Sequence, residues 1–328
     1  MTKILNIGSL NADEFYTVPH ITKSGETLSS SEFSVRAGGK GANQSAALSR
    51  AGGKVYHAGK VGKDSEWLRE NIKNYGVNVD YIIIDPETPQ GRAIIQSSAE
   101  TGDNAIFLYG GTNQALTLDW AKDNVLGSKE FGSGDFLLMQ NEISAGGEIM
   151  GAAADLGLGI VFNPAPMTPD LAREFPLDKV DILIVNEHEG LDLYQQVYSK
   201  DNASRVTKNE YATICKKIFD HLQSLTGIVM TLGSEGLIAN FRKGNASREY
   251  NLPAHKATVK DTTAAGDTFT GFFLARYAEQ CTGSAGSEAY FAAVEEALKE
   301  ATVAAAICVE RVGSMSSEPD IEEVKKRM

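Results

Sequence analysis

Short apolar runs alternate with amphipathic helical stretches along most of this 328-residue chain, and this alternation limits the folds open to it. The runs that predict strands are Ile4–Gly8, Val55–Lys60, Phe136–Gln140, Gly159–Asn163, Ile182–Asn186 and Gly227–Thr231. The stretches that predict helices are Gly41–Ala51, Ser65–Tyr75, Gly147–Leu156, Asn209–Leu225, Ala265–Glu279 and Glu288–Arg311. Strands that alternate with helices form βαβ units, and Val/Ile/Leu-rich strands are covered on both faces. The sequence therefore predicts an α/β fold with a central, mostly parallel β-sheet and helices on both faces.

Two segments interrupt this alternation. Residues 15–36 and 91–110 contain β-rich stretches and turns but no helical pattern. Between residues 92 and 109 the turn AETGDN separates two β-rich arms, which predicts a hairpin. We interpret both segments as one small β-sheet lid. The expected division is residues 13–37 and 91–110 for the lid, and residues 1–12, 38–90 and 111–328 for the α/β domain.

Composition excludes several classes of partner. The formal net charge is −12, from 31 Lys and Arg against 43 Asp and Glu, whereas binding to nucleic acid or acidic membranes needs a cationic surface. Three scattered cysteines without a CxxC pattern are typical of a reduced intracellular protein. No signal-peptide pattern opens the sequence, and no window approaches 18 apolar residues. We therefore expect a cytoplasmic protein with no membrane partner.

The segment Asp261–Phe269, DTTAAGDTF, is the strongest candidate for chemistry. It leads directly into an apolar helical pattern, so small residues would stand where the helix offers free N–H groups to an anion. Asp267 would lie in the first turn, where a carboxylate can accept the proton of a hydroxyl group. A plain Asp-Gly turn with a helix cap would contain the same residues, so spacing alone leaves both interpretations open.

A glycine-rich loop, A37GGKGANQSAALSRAGG53, leads into an earlier helix. It lacks the Walker spacing because glycine follows Lys40, and the chain has no GxGxxG fingerprint, which disfavours a nicotinamide dehydrogenase. The loop fits either a polar neutral ligand, bound by close backbone with Lys40 and Asn43, or an ordinary turn between a strand and a helix.

Polar side chains follow several predicted strands. The pairs are Asn11 and Asp13, Asn141 and Glu142, and Asn186 and Glu189 within N186EHE189. Strand ends converge on one crevice in open α/β sheets, where such side chains can bind sugar hydroxyls or order the waters of Mg²⁺. Each pair taken alone is equally consistent with a helix cap or a solvated loop.

In this order the motifs resemble the ribokinase (PfkB-type) family of carbohydrate kinases along essentially the whole chain. The N-terminal signature matches GGKGAN at residues 38–43, and the C-terminal signature DTxxAGDxF matches residues 261–269. M139QNE142, N163PAP166, N186EHE189 and T231LGSEG236 stand where a ribokinase has their counterparts. The chain departs from the pattern at Ala264-Ala265, where many relatives have Gly-Ala, and matches loosely at Val312–Ser317.

The resemblance implies a role for each matching residue. Asp267 would be the catalytic base, and Ala264, Ala265 and Gly266 would form an anion hole. The ribose-binding residues would be Asn11, Asp13, Gly39, Lys40, Asn43 and Glu142. The ATP site would use Asn186, Thr231, Gly233 and Gly236, with Glu189 holding Mg²⁺ through water. The ligands of an activating K⁺ would be Asp261, Thr263, Cys308, Arg311, Gly313 and Ser317.

The implied reaction is ATP-dependent phosphorylation of D-ribose at its 5-hydroxyl, in a homodimer joined through the lid. Two alternatives remain. A kinase of the same family could act on fructose, deoxyribose or a nucleoside, and a non-catalytic sugar sensor could use the same fold.

Overall fold

A computed structural model describes residues 2–198, 210–281 and 286–328. Its main sheet has nine strands in the order β13-β12-β11-β10-β9-β8-β1-β4-β5. The strands are β1 (Lys3–Ile7), β4 (Lys54–Gly62), β5 (Asn78–Asp85), β8 (Phe136–Met139), β9 (Gly159–Phe162), β10 (Ile182–Asn186), β11 (Gly227–Thr231), β12 (Leu237–Lys243) and β13 (Ala246–Leu252). Seven of them pair in parallel, and β12 and β13 add an antiparallel hairpin at one edge.

Helices cover both faces of this sheet. They are α1 (Lys40–Arg50), α2 (Glu66–Asn74), α3 (Leu118–Asn124), α4 (Gly146–Asp155), α5 (Leu171–Glu174), α6 (Glu187–Tyr198), α7 (Tyr211–His221), α8 (Ala265–Gln280), α9 (Ser287–Val309) and α10 (Ile321–Arg327). Successive residues of a strand point to opposite faces. Accordingly Ile4 packs in the core beneath α1, α8 and α9, while Leu5 packs in the core beneath α4 and α7.

A second sheet of four strands stands apart from the first. Its order is β3-β2-β6-β7, and its strands are β2 (Asn11–Val18), β3 (Glu32–Gly38), β6 (Arg92–Ser98) and β7 (Asn104–Tyr109). β6 and β7 form the predicted hairpin, and β2 pairs with β6 in parallel. Both segments predicted as lid contribute to this sheet, so we call it the lid sheet; the domain boundaries themselves stay a prediction.

The predicted fold class is confirmed: a mostly parallel sheet lies between helices, beside a small separate sheet. The predicted strands and helices agree with the structure within a few residues, and the predicted helix start at Asn209 lies outside the described residues. The hairpin β12–β13 was not predicted, and Asn11 begins a lid strand rather than a loop. In the described part of the chain, no helix is long and apolar enough to cross a membrane.

Candidate active site

Asp267 lies in the first turn of α8, and only 7% of it is exposed. The helix starts abruptly because Ala264 adopts a left-handed conformation, with φ of 59°. The amide of Thr268 then bonds to the carbonyl of Ala264. The amide of Ala265 bonds to the carbonyl of Thr262, and the first N–H groups of the helix lie beside the Asp267 carboxylate.

Two side chains of α1 donate hydrogen bonds to this carboxylate. Asn43 Nδ2 lies 3.0 Å from Asp267 Oδ2, and Gln44 Nε2 lies 2.9 Å from Oδ1. The helices approach closely because α8 has Gly271 at the crossing, where a Cβ would lie 2.5 Å from the Cβ of Ala47. A larger residue would separate α1 from α8 and withdraw both donors from Asp267.

The glycine-rich loop is pressed against the end of β1. A Cβ on Gly41 would lie 2.5 Å from the amide nitrogen of Ser9, so only glycine fits there. Gly39 has φ of 91°, which also favours glycine. Glu142 accepts a hydrogen bond from the amide of Lys40 at 2.9 Å and another from Ser9 Oγ. Burial raises the pKa of the Glu142 carboxyl, and the charge of Lys40 partly offsets this.

A cavity of about 1110 Å³ lies beneath the lid sheet. The structure brings the six predicted sugar-binding residues together in its lining, and Asp267 lies with them: Asn11, Asp13, Gly39, Lys40, Asn43 and Glu142. The lid sheet supplies two of the six, since Asn11 and Asp13 belong to β2. The cavity therefore lies between the lid sheet and the carboxyl end of the main sheet, where ligands bind in open α/β folds.

Asp13 is a largely buried carboxyl group of this cavity, and in the described part of the chain one of its oxygens lacks a hydrogen-bond donor. Its Oδ1 is buried and has no hydrogen-bond donor within the described residues. Burial raises its pKa to about 7, and the negative charges of Glu142 and Asp267 add to the effect. A ligand that donates a hydroxyl hydrogen bond would satisfy this oxygen.

A second cavity of about 230 Å³ adjoins the first. The N-terminus of α8 forms one side through Ala264, Ala265 and Gly266. Lys40, Ala264 and Asp267 line both cavities, so they stand at the junction. The charge of Asp267 raises the pKa of the Lys40 ammonium group, which burial opposes. A buried ammonium group beside a helix N-terminus makes this cavity suitable for a phosphate group.

The acidic motif after β10 lines the same small cavity through Asn186 and Glu189. Asn186 caps α6: its Oδ1 accepts from the amide of Glu189 at 2.8 Å, and Glu189 Oε2 accepts from the amide of Asn186 at 2.9 Å. The cap interpretation of this motif is therefore confirmed, and it does not exclude a ligand role. Burial raises the pKa of Glu189, and its bond from Asn186 partly offsets this.

The predicted nucleotide residues divide into two groups. Thr231 ends β11 and lines the small cavity. Gly233 and Gly236 shape the turn that follows, with φ of 55° and 99°. A Cβ on Gly236 would lie 2.0 Å from the carbonyl oxygen of Leu252, so the turn requires glycine whether or not a nucleotide binds.

Comparison with known proteins matches residues 1–321 to the pfkB family carbohydrate kinase model. The chain belongs to the pfkB family of carbohydrate kinases. It is thus a phosphotransferase with an alcohol group as acceptor, and the resemblance to this family is confirmed. A ribokinase of Haemophilus influenzae is 31% identical, with coverage of 98% of this chain and 97% of that protein. A deoxyribokinase of Salmonella typhi is 28% identical, with coverage of 97% and 95%.

Solved ribokinase structures share the whole fold of this pfkB kinase. A ribokinase from Cryptococcus neoformans var. grubii serotype A in complex with ADP has a TM-score of 0.82 and 37% identity, and each chain is fully covered. A ribokinase from Arabidopsis thaliana complexed with ribose and ATP has a TM-score of 0.78 and 28% identity, with coverage of 99% and 98%.

The residues predicted for K⁺ surround the loop that precedes α8 in this pfkB kinase. Asp261 accepts from the amides of Thr263 and Gly313 at 2.9 and 3.0 Å. Burial opposes ionisation of Asp261, but these bonds and the charge of Arg36 outweigh it and lower its pKa. Cys308 Sγ lies 3.7 Å from the Thr263 carbonyl oxygen and 3.1 Å from Ser317 Oγ.

Arg311 is the exception in this set. Its guanidinium group pairs with Glu323 of α10, so only its main chain is available to the loop. Within the described ranges, no group of three or more His, Cys, Asp or Glu side chains is arranged to hold a metal ion.

Sequence reasoning assigned no role to Gln44, although it donates to the predicted base. Gln44 is fully buried and follows Asn43 in the loop signature. Two further buried amides, Gln140 and Asn163, contact it at 2.7 and 2.9 Å. The only available signal was polar residues at positions where the strand and helix patterns require apolar ones.

Proposed function

We propose that this kinase transfers the γ-phosphoryl group of ATP to the 5-hydroxyl of D-ribose, giving ribose 5-phosphate and ADP. One observation carries the proposal: Asp267 and Lys40 stand at the junction between a large polar cavity and a small one at a helix N-terminus. A sugar in the large cavity and a triphosphate ending in the small one would meet at these two side chains. The ribokinase of Arabidopsis thaliana, which was solved with ribose and ATP, supports the choice of substrates.

The chemistry of the large cavity suits a polyol. Asp13 and Glu142 offer carboxylate oxygens to vicinal hydroxyls, and Asn43 offers an amide that can donate or accept. The orphaned oxygen of Asp13 supports this role, because a buried acceptor without a donor is costly until a ligand arrives.

Asp267 acts as the general base in this mechanism. It accepts the proton of the 5-hydroxyl as that oxygen forms its bond to the γ-phosphorus, while the bond from phosphorus to the ADP oxygen breaks. Negative charge spreads over the transferring oxygens. The main-chain amides at Ala264, Ala265 and Gly266 and the ammonium group of Lys40 would stabilise that charge, and Ala265 would exchange its present bond to the Thr262 carbonyl for one to the phosphoryl group. The proton leaves Asp267 for solvent after the product departs.

Asn186 and Glu189 would hold Mg²⁺, mainly through its waters. Their oxygen donors suit this ion, and a single carboxylate agrees with Mg²⁺ retaining several waters and binding substrate phosphates. When bound, the ion neutralises charge on the ATP phosphates. Thr231 would contact the nucleotide beside them. The carbonyl, hydroxyl and carboxylate oxygens of the loop around Asp261 and Ser317 are donors that K⁺ accepts, and that loop leads directly into the α8 N-terminus.

The acceptor sugar is the least constrained part of the proposal. The similarity to a deoxyribokinase of Salmonella typhi favours 2-deoxyribose as the second candidate. A coupled ADP-release assay with ribose, 2-deoxyribose, fructose and adenosine, each in K⁺ and in Na⁺, separates the substrates. Ribose should have the highest kcat/KM. If another acceptor has a higher value, that acceptor becomes the proposed substrate instead of ribose. ADP release at background with every acceptor would favour the sugar-sensor alternative.

The base is tested by Asp267→Asn, which keeps the shape of the side chain and removes its ability to accept a proton. We expect kcat to fall by roughly 10²-fold or more, with the Kd for ribose changed by less than about threefold. Ribose binding is measured by calorimetry and turnover by ADP release. A folded Asp267→Asn protein with wild-type turnover would exclude Asp267 as the base.

We also propose a homodimer joined through the lid sheet. On its face away from the cavity, Phe107 is 58% exposed, and Val35 and Tyr109 are exposed as well. Phe33, also 58% exposed, shares this face by strand alternation and also reaches the edge of the cavity lining. The ion pair between Arg92 and Glu14 lies on the central strands β6 and β2, between the exposed residues of β3 and those of β7. Large apolar side chains exposed together on one face are characteristic of an interaction surface.

A further inference from the structure

A chain of buried amide side chains ends on the Asp267 carboxylate. Gln140 Nε2 donates to Asn6 Oδ1 at 3.2 Å and to Gln44 Oε1 at 2.7 Å. Gln44 Nε2 in turn donates to Asn163 Oδ1 and to Asp267 Oδ1, both at 2.9 Å. Asn6, Gln44 and Gln140 are at most 1% exposed. Buried amides are costly unless hydrogen-bonded, so a connected set of this size requires an explanation.

Main-chain carbonyls at both ends fix which way each amide points. Asn6 Nδ2 donates to the carbonyl of Gly41 at 2.8 Å, which turns Asn6 Oδ1 towards Gln140. Asn163 Nδ2 donates to the carbonyl of Ile184 at 3.0 Å, which turns Asn163 Oδ1 towards Gln44. A carbonyl only accepts, so neither amide can reverse without losing a bond. The NH₂ group of Gln44 is therefore held towards Asp267.

The two oxygens of Asp267 have different surroundings. Oδ1 faces Gln44, which is fully buried and contributes to neither cavity lining. Oδ2 faces Asn43, which lines the large cavity. Holding Oδ1 from the interior fixes the plane of the carboxylate and leaves Oδ2 on the side where a substrate hydroxyl would arrive.

Other charged groups also act on this carboxylate. Those whose charges interact with Asp267 are Lys40, Asp13, Glu142, Glu189, Cys308 and Glu318. Lys40 is the one cation among them, and the others are four carboxyl groups and one thiol. Gln44 and Asn43 donate the side-chain hydrogen bonds that hold the Asp267 carboxylate among these groups.

We propose that Gln44 is a positioning residue for the base: with Gln140, Asn6 and Asn163 behind it, it orients the Asp267 carboxylate. This inference rests on the proposed role of Asp267. It assigns no substrate contact to Gln44, so Gln44 should influence turnover and its pH dependence more than sugar affinity.

Two substitutions of similar size test the proposal. Gln44→Met removes the donor and keeps the volume, and we expect kcat to fall about tenfold or more while the KM for ribose changes by less than about threefold. Gln44→Glu places a second carboxyl group against Asp267 Oδ1. Two touching carboxyls do not ionise independently, so the acidic limb of the kcat profile should move to higher pH by about one unit or more.

A matched control separates positioning from general destabilisation. Asn240 is also a buried amide, but it lies on β12 and donates to Cys215 of α7. It belongs to the lining of neither the large nor the small cavity. Asn240→Leu should lower the unfolding temperature and leave the pH profile of kcat unchanged. If Gln44→Met does not fold, Gln140→Met tests the same chain one residue further back, and we expect a smaller fall in kcat in the same direction.

The outcomes distinguish this inference from the proposed function. A wild-type kcat and pH profile in the Gln44 variants, with an inactive Asp267→Asn protein, would overturn the positioning role and leave the base in place. An active Asp267→Asn protein would instead remove the base. Equal effects of Gln44→Met and Asn240→Leu on kcat and pH profile would show that Gln44 contributes only stability.

Discussion

Asp13 combines a raised pKa with a position in the sugar cavity. Its pKa of about 7 means that it takes up a proton within the range in which most assays are run. Proton uptake converts an acceptor into a donor, and a sugar hydroxyl that donates to the carboxylate loses its partner. The ionised form should therefore bind ribose more tightly, and ribose should in turn favour ionisation.

Ribose affinity should consequently depend on pH through Asp13. The ionised fraction of a group with a pKa of about 7 rises about tenfold between pH 6 and pH 8, so the Kd for ribose should fall by up to about tenfold over that range. Calorimetric titration without nucleotide measures this directly. Asp13→Asn should bind more weakly and lose the dependence; a wild-type Kd that is constant from pH 6 to pH 8 would contradict the assignment.

At the scale of elements, the start of α8 shows how a small departure from the family signature is accommodated. Ala264 occupies a left-handed conformation that costs an L-residue about 1 kcal/mol or more, and glycine adopts it freely. Gly266, two residues later, has open space around the position of a Cβ. Glycine is thus absent where the backbone favours it and present where the helix does not need it, next to the small cavity.

Two substitutions in this turn, Ala264→Gly and Gly266→Ala, should affect stability and activity differently. Ala264→Gly should leave the unfolding free energy unchanged or raise it by up to about 1 kcal/mol, with turnover kept. Gly266→Ala should stabilise the helix by about 1 kcal/mol but lower kcat/KM for ATP by roughly tenfold or more, because the methyl would enter the proposed phosphoryl site. Thermal unfolding and ADP release measure both, and normal ATP kinetics in Gly266→Ala would argue against the anion hole.

The elements were predictable from sequence to the extent that their signal is local. Apolar runs and helical periodicity depend on neighbours along the chain, so β10 and α8 were predicted within one residue of their bounds. Asn11 was interpreted as a strand-end residue because the pattern could not show that the chain turns at once into a lid strand. The contact between α1 and α8 depends on Gly271 fitting against Ala47, which no local pattern encodes.

The same limit applies to the site. Asp267 and the loop residues were identified through their motif, which implied roles and gave no distances. The support behind Asp267 was not identified, because Gln44 and Gln140 are 96 positions apart in sequence and meet only in the folded core. Helix and strand periodicity predicts an apolar residue at a buried position, so a glutamine there only interrupts the pattern. Its hydrogen-bond partners become known only from the folded structure.

The negative charge of the whole molecule opposes the binding of an anionic nucleotide. The chain has a net charge of −12, and the two cavities contain Asp13, Glu142, Glu189 and Asp267. An anionic nucleotide is therefore attracted locally, by Lys40 and the N-terminus of α8 at the small cavity, while Arg36 and Lys260 line the large one. Lys40 lines both cavities, so its charge serves both the proposed base and the proposed phosphate site.

One face of the lid sheet is apolar and exposed, and a second chain could cover it. Phe33 and Val35 on β3 and Phe107 and Tyr109 on β7 lie on one face of the sheet, because alternate residues of a strand share a face and the pairs Glu14–Val35, Glu14–Ile94 and Ile94–Phe107 connect the strands. The opposite face supplies Asn11 and Asp13 to the cavity. A partner that covers the apolar face would hold the sheet over the sugar cavity as well as bury the patch.

Breaking that contact should change both assembly and substrate affinity. The double variant Val35→Glu with Phe107→Glu should shift the mass measured by light scattering from two chains to one, and it should raise the KM for ribose severalfold because an unsupported lid positions Asp13 less firmly. Leu156→Glu is the matched control, since Leu156 is 46% exposed at the end of α4, away from the lid sheet. A monomeric wild-type protein, or a double variant that remains a dimer, would show that the apolar face has another purpose.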